Sequence, residues 1–206
     1  MLHSFGLYQD GANPAANLID VKGTLYGTTQ SGIGSTGEGS GLGTVFSIST
    51  TGAESVLYNF PNGASDGADP AAGLINVNGN LYGTTAGGGD YGTYDTYGTA
   101  FSITTSGSLT SLHSFGSGTD GSRPYAPLRN VNGTLYGTTS AGGAYGKGTV
   151  FSMSLTGTDE KVLHDFGHGS DGASPLAGLV NVQGTLYGTT SAGGKYGDGT
   201  VFALTP

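Results

Sequence analysis

The chain has 206 residues, 42 of them glycine and 10% charged, with 6 Lys and Arg against 14 Asp and Glu for a net charge of −8. That acidic balance argues against nucleic acid and anionic bilayer surfaces as partners, because both attract basic patches. The absence of cysteine excludes disulfides and thiolate metal sites, and no apolar run approaches the roughly 18 residues of a membrane span, so no membrane insertion is expected.

A glycine-rich, weakly charged chain can be a low-complexity coil, but here the apolar residues recur in phase. Asp-Gly followed by Pro four positions after the Asp begins at Asp10, Asp66, Asp120 and Asp171. Each time a Leu-Tyr-Gly-Thr-Thr run follows, with its tyrosine (Tyr26, Tyr82, Tyr136, Tyr187) 16 residues after the Asp. A Gly-Thr-(Val/Ala)-Phe run then ends at Phe46, Phe101, Phe151 and Phe202, and a Leu-x-x-Phe run ends at Phe60, Phe115 and Phe166. The period of 51 to 56 residues is that of a tandem β architecture. Nearly all the drift between copies falls between the Tyr and the Thr of Gly-Thr-(Val/Ala)-Phe, where the distances are 18, 17, 13 and 13 residues. One loop varies and the rest is a fixed unit.

In chain order, Met1 to Phe5 lacks the basic and apolar regions of a signal peptide, and Leu2-His3-Ser4-Phe5 repeats the Leu-x-x-Phe motif. Within a unit, the segment after the Pro (Gly73 to Val77 in the second copy) is short and rich in branched apolar residues, and it predicts a strand. In two copies it enters Asn-Gly (Asn78-Gly79, Asn132-Gly133), which predicts a tight hairpin. Leu81 to Thr85 is the returning strand; after the variable loop come a third strand, Thr99 to Ile103, a Ser/Thr/Gly turn, and a fourth strand, Leu112 to Phe115. Helical spacing is absent. The chain stops at Val201 to Leu204, a third-strand motif, so the fourth strand of the last unit is expected at Leu2 to Phe5. The expectation is an all-β fold, a four-bladed β-propeller of four-stranded antiparallel meander blades, closed by the N-terminal strand completing the last blade. It is a single domain over 1–206, with blade I at about 14–60, blade II at about 70–115, blade III at about 124–166 and blade IV at about 175–204 plus 2–5. The alternative is an eight-bladed ring of two chains, so the chain is a monomer or a homodimer.

The string from Gly133 to Phe151, Gly-Thr-Leu-Tyr-Gly-Thr-Thr-Ser-Ala-Gly-Gly-x-Tyr-Gly-x-Gly-Thr-Val-Phe, returns from Gly184 to Phe202 and resembles the GloVer tandem repeat of bacterial surface proteins with varied anchors. The likeness covers essentially the whole chain. More distantly the units are similar to kelch repeats, with a Gly pair and a following Tyr (Gly87-Gly88 and Tyr91, Gly142-Gly143 and Tyr145, Gly193-Gly194 and Tyr196) but no Trp. The GloVer resemblance implies an extracellular or cell-envelope location and no particular chemistry.

In a meander, the loop between the second and third strands opens on the same face as the connection to the next unit. The variable loops and the four Asp-Gly-x-x-Pro connections therefore share one face. That face holds Asp10, Glu38, Asp66, Asp69, Asp90, Asp95, Asp120, Asp171 and Asp198. It also holds Tyr91, Tyr94, Tyr97, Tyr145 and Tyr196, and flat rings beside carboxylates suit a sugar or a peptide. The ligand-binding candidates are Tyr91, Tyr94, Tyr97, Asp90, Asp95, Tyr145 and Tyr196. Asp10, Asp66, Asp120 and Asp171 are expected to cap turns and are weak candidates for a structural Ca²⁺; no other cofactor is expected. His3, His113 and His164 share a register with Tyr58 and are expected to be structural, lying away from the loop face. Gly-x-Gly-x-x-Gly at Gly32, Gly116 and Gly167 opens no helix and is fortuitous. No catalytic residues are expected, since nearly equivalent copies suit architecture better than an asymmetric active site. The expected function is an extracellular or cell-surface module binding a carbohydrate or peptide on its loop face; the alternative is a structural or adhesive surface repeat without a discrete ligand.

Overall fold

A computed structural model of the chain describes residues 1–6, 10–32, 42–61, 65–91 and 96–206. Glu38, Tyr94 and Asp95 lie outside the described residues. All regular elements are β-strands. The first sheet has the order β1 (Ile19–Val21), β2 (Thr24–Thr29), β3 (Thr44–Ser49), β4 (Glu54–Asn59). The second repeats it with β5 (Ile75–Val77), β6 (Asn80–Thr85), β7 (Thr99–Thr104) and β8 (Leu109–Ser114), and the third with β9 (Arg129–Val131), β10 (Thr134–Thr139), β11 (Thr149–Ser154) and β12 (Lys161–Asp165). The fourth has three strands, β14 (Val180–Val182), β15 (Thr185–Thr190) and β17 (Thr200–Leu204), and a small ladder pairs β13 (Gly172–Ala173) with β16 (Ala192–Gly193). Every pairing within these sheets is antiparallel, as a meander requires.

The hairpin between the first two strands is the same in all four sheets. Lys22-Gly23, Asn78-Gly79, Asn132-Gly133 and Gln183-Gly184 each have positive φ at both residues, the type I′ turn whose twist matches the flanking strands. Asp20, Asn76, Asn130 and Asn181 each accept the glycine N–H through their side-chain Oδ1, so an Asx residue two before the turn holds Lys and Gln in a conformation that Asn usually supplies.

The repeated Leu-Tyr-Gly and Val-Phe motifs meet directly across the second and third strands, in the pairs Gly27–Phe46, Gly83–Phe101, Gly137–Phe151 and Gly188–Phe202. The phenyl ring lies over the glycine: a Cβ on Gly137 would stand 2.4 Å from Phe151 Cζ, and one on Gly83 2.6 Å from Phe101 Cζ. A second phenyl ring, from the residue just past the fourth strand of the preceding sheet, then meets that ring edge-on. Phe60–Phe101, Phe115–Phe151 and Phe166–Phe202 have centroids 5.5, 4.9 and 5.0 Å apart. The core is therefore three layers between successive sheets, with Phe60, Phe101, Phe115, Phe151 and Phe166 fully buried. Deeper in each sheet the two threonines of the motifs bond hydroxyl to hydroxyl: Thr29–Thr44 at 2.7 Å, Thr85–Thr99 at 2.8 Å, Thr139–Thr149 and Thr190–Thr200 at 2.9 Å. Thr28 and Thr84 reach across to the Ala72 and Ala126 carbonyls of the next sheet.

The expected closure is not formed. Leu2 to Phe5 is not a strand, and no pairing joins it to β17, whose outer edge carries no fourth strand. Instead Phe5 sits edge-on to Phe46 at 4.9 Å, and the Leu2 carbonyl lies against Gly52 as the Leu57 and Leu112 carbonyls lie against Gly107 and Gly157. The segment thus occupies, on the first sheet, the place that a preceding sheet's fourth strand takes elsewhere. Phe packing across the sheet face governs where it lies, and the edge of the last sheet is left unpaired.

The ring-over-glycine contact has a direct test. Gly137→Ala keeps the backbone conformation accessible but places a methyl inside the Phe151 ring's volume, and it is expected to cost about 1–3 kcal/mol, the range for overpacking a full core. Gly146→Ala, where no atom lies within 4 Å but φ is +70°, carries only backbone strain. Urea unfolding of the two variants measures the difference.

Candidate functional site on the connection face

Each Asp-Gly connection begins with a carboxylate that meets a ring from the end of the fourth-strand motif. His3 Nε2 lies 3.0 Å from Asp10 Oδ2, His113 Nε2 2.9 Å from Asp120 Oδ2, and His164 Nε2 2.8 Å from Asp171 Oδ2. In the remaining copy the Tyr58 hydroxyl donates to Asp66. The other carboxylate oxygen accepts a backbone N–H: Gly6 to Asp10, Gly116 to Asp120, Gly172 to Asp171. Asp10, Asp120 and Asp171 each accept a backbone N–H with an imidazole added, whereas Asp66 has the Tyr58 hydroxyl and its Oδ1 is buried without a partner. The histidines accordingly lie beside the connections, at the loop face, rather than away from it; the signal was the constant separation of seven residues between His and Asp. Each imidazole also stacks edge-on to the Phe two residues on, with centroids 4.7 Å apart in all three copies. Glycine follows the Asp because a Cβ on Gly11 would meet Thr29 Oγ1 at 2.4 Å with φ at +76°. Among the described residues, no three His, Asp or Glu side chains gather as a metal-ligand group.

Two glutamates stand near these pairs. Burial pushes the Glu160 carboxyl above its ordinary value, His113 opposing and Asp120 adding to the shift; Glu54 behaves alike beside His3 and Asp10. In both, Oε1 is buried without a hydrogen-bond partner. The Tyr58 phenol is pushed up to about 12, by burial first and then by its bond to Asp66.

The variable loops carry the expected tyrosines. Tyr91, Tyr145 and Tyr196 share one register, two residues after the second glycine of Gly88-Gly89, Gly142-Gly143 and Gly193-Gly194. They are 56%, 50% and 81% exposed. The shorter loops are closed by their own backbone: Gly148 N–H to the Gly142 carbonyl and Gly146 N–H to Gly143 in the third copy, Gly199 to Gly193 and Gly197 to Gly194 in the fourth. Tyr145 lies 5.5 Å from the His168 ring, and Lys195 Nζ stands 5.2 Å over the Tyr196 ring. Asp90 is exposed on the second loop, its backbone N–H meeting Ser114 Oγ. Tyr97 is placed differently. Its backbone has φ +72°, its carbonyl accepts the Arg123 N–H, and its ring lies against Gly116. No ring contact joins Tyr91, Tyr97, Tyr145 and Tyr196 among the described residues, so they form separate exposed rings rather than one cluster.

A concavity that the motifs did not signal lies where the first strands begin. It has a volume of about 400 Å³ and is lined by Ala15, Ala16, Asn17, Leu18, Ile19, Ala71, Ala72, Gly73, Leu74, Tyr125 and Pro127. The pairs Ala15-Ala16 and Ala71-Ala72, just after Pro14 and Pro70, leave the space by being small.

The buried carboxyls make stability depend on pH in a stated direction. A carboxyl whose folded value is raised holds its proton more tightly in the folded state, so its contribution is complete below the unfolded value, near 4.5, and is lost as pH rises through the raised folded value. Glu160→Gln is therefore expected to melt higher than the parent at neutral pH, and the gap to close as pH falls to about 4.5 and below. Thermal melts of both proteins across that range measure it.

Comparison with known proteins bears on fold and family. A chain of the crystal structure of a nidogen/laminin complex is similar over 90% of this chain, with TM-score 0.59 and 16% identity. A quinohemoprotein alcohol dehydrogenase from Pseudomonas putida HK5 is similar over 98%, with TM-score 0.60 and 14% identity. This chain spans 57% and 33% of those two chains, and at such identity the likeness is one of propeller-like fold alone. No curated protein sequence matches significantly. The model of the Gloeobacter/Verrucomicrobia repeat matches residues 1–117 and again 91–206, so its two copies cover every sheet described above. With the motif spacing and the four recurring sheets, this makes the chain a member of the Gloeobacter/Verrucomicrobia repeat family.

Proposed function

We propose that the chain is a binding module of the bacterial cell surface or envelope that takes a carbohydrate or a peptide on its connection face, without turning it over. The observation that carries this reading is the recurrence of an exposed tyrosine, Tyr91, Tyr145 and Tyr196, at one position of a glycine loop in three successive sheets. Large apolar rings left exposed at one register on one face give a set of like contacts rather than one deep pocket. A flat ring with a hydroxyl at its tip stacks on a sugar face or on a peptide side chain. Asp90 and Asp198 beside the rings supply acceptors for hydroxyls or a basic group. Such sites, each weak, gain affinity together when the ligand is itself repetitive. The cell-surface location follows from the resemblance to surface-protein repeats. No helix of the described residues is long and apolar enough to cross a membrane.

The second reading, a structural or adhesive repeat without a discrete ligand, draws support from the near identity of the third and fourth copies, whose loops differ at few positions. Binding to an immobilised glycan and peptide array separates the two. A module gives ligands whose binding weakens on Tyr145→Ala and Tyr196→Ala by about tenfold per ring, roughly 1.4 kcal/mol, with an unchanged melting temperature because the rings are exposed. A structural repeat gives no array signal that these substitutions remove.

A further inference from the structure

The segment that enters each first strand occurs four times in the sequence, with some positions constant and others changing. It runs Pro-Ala-Ala-Asn-Leu at 14–18, Pro-Ala-Ala-Gly-Leu at 70–74, Pro-Tyr-Ala-Pro-Leu at 124–128 and Pro-Leu-Ala-Gly-Leu at 175–179. The Pro, the central Ala and the Leu never change. In the second and third copies Ala72, Leu74, Ala126 and Leu128 are at most 5% exposed, and Thr28 and Thr84 of the preceding sheets donate to the Ala72 and Ala126 carbonyls. Packing between sheets accounts for the constant residues.

The changing positions lie elsewhere. In the first three copies they are Ala15 and Asn17, Ala71 and Gly73, Tyr125 and Pro127, and all six line the concavity of about 400 Å³. Packing does not demand that the residues of the second copy be small. A Cβ on Gly73 would meet no atom closer than 3.6 Å, and its φ lies outside the left-handed region. Ala71 stands where the third and fourth copies carry Tyr125 and Leu176. The space is thus kept open by residues that the fold does not require to be small, and copies alike in their cores differ at its wall. Its volume lies within the range of about 300–1,000 Å³ common to small-molecule sites.

We infer that this concavity is a binding site for a neutral monosaccharide, separate from the exposed tyrosines of the variable loops and independent of what they bind. Among the described residues, no charged side chain lines it. A charged ligand would leave its charge unpaired there, which excludes sugar acids and sugar phosphates. The polar side chains are the Asn17 carboxamide, which both donates and accepts, and the Tyr125 hydroxyl, carried on a flat ring; Ala15, Ala71 and Pro127 supply the apolar remainder. A pyranose offers the same mixture, a C–H face for the ring and hydroxyls that donate and accept. A wholly apolar ligand would strip water from the amide and the hydroxyl without replacing it.

Saturation-transfer NMR of the 206-residue chain with glucose, galactose, mannose and N-acetylglucosamine, each at millimolar concentration, tests the assignment. At least one of the four is expected to receive saturation on its ring protons, and glucuronic acid is expected to receive none. Ala71→Tyr fills the space with the side chain that the third copy carries at the same position, so it is expected to abolish the signal with an unchanged circular dichroism spectrum. Asn17→Ala, at an exposed residue, is expected to weaken binding about tenfold without moving the melting temperature. The double substitution Tyr145→Ala and Tyr196→Ala is expected to leave the signal intact; its loss there would assign binding to the loops and overturn the inference. Absence of transfer to all four sugars, equal transfer to glucuronic acid, or a signal that survives both Ala71→Tyr and Asn17→Ala would overturn it as well.

Discussion

The fold depends on one contact repeated along the chain: a phenyl ring laid over a glycine on the adjacent strand and struck edge-on by a phenyl from the sheet before. Gly83, Phe101 and Phe60 show all three parts. The glycine is required because a methyl there would overlap the ring. The first phenyl can lie flat only because the glycine is flat, and the second ties one sheet to the next. No sheet of this kind buries its faces alone, so each is stable through its neighbours, as in other repeat architectures. The contact is made four times, with Phe5 of the N-terminal segment supplying the edge-on ring for Phe46 in the first sheet.

This division of labour explains why one loop is free to change. The Asp of each connection is held by a ring, and in three of the four also by a backbone N–H, and the following glycine sits against the threonine pair, so the connection cannot lengthen without breaking several bonds. Among the described residues, the loop between the second and third strands is tied chiefly through backbone groups near its ends, such as the Leu42, Tyr97 and Lys147 carbonyls that accept from the next connection. It can carry an exposed tyrosine at no cost to the core, and in the second copy it carries a longer segment. Function is most easily changed where the fold asks least.

The His–Asp pairs are better understood as joints than as chemistry. Each imidazole is held between a Phe ring and a carboxylate, which fixes the exit of the fourth strand relative to the start of the next unit. Substitution by Tyr58 in one copy keeps both the ring and the donor. A half-buried glutamate beside two of these joints, with its Oε1 buried and unpaired, costs stability when ionised.

Much was legible in the sequence because it is local or periodic. The all-β class, the meander order, the Asn-Gly hairpins and the single variable loop follow from motif spacing, since strand alternation and turn chemistry act over a few residues. The exposure of Tyr91, Tyr145 and Tyr196 agrees with their glycine-flanked setting. What tertiary structure alone decided involves residues far apart in sequence. Tyr97 lies down on Gly116, and the small residues after Pro14 and Pro70 open a cavity between sheets. The placement of Leu2 to Phe5 was the largest such decision. Its motif says that it is a fourth strand, but whether it joins the last sheet depends on how far the sheets curve around, and that angle is set by the packing of rings between sheets, which no single repeat contains.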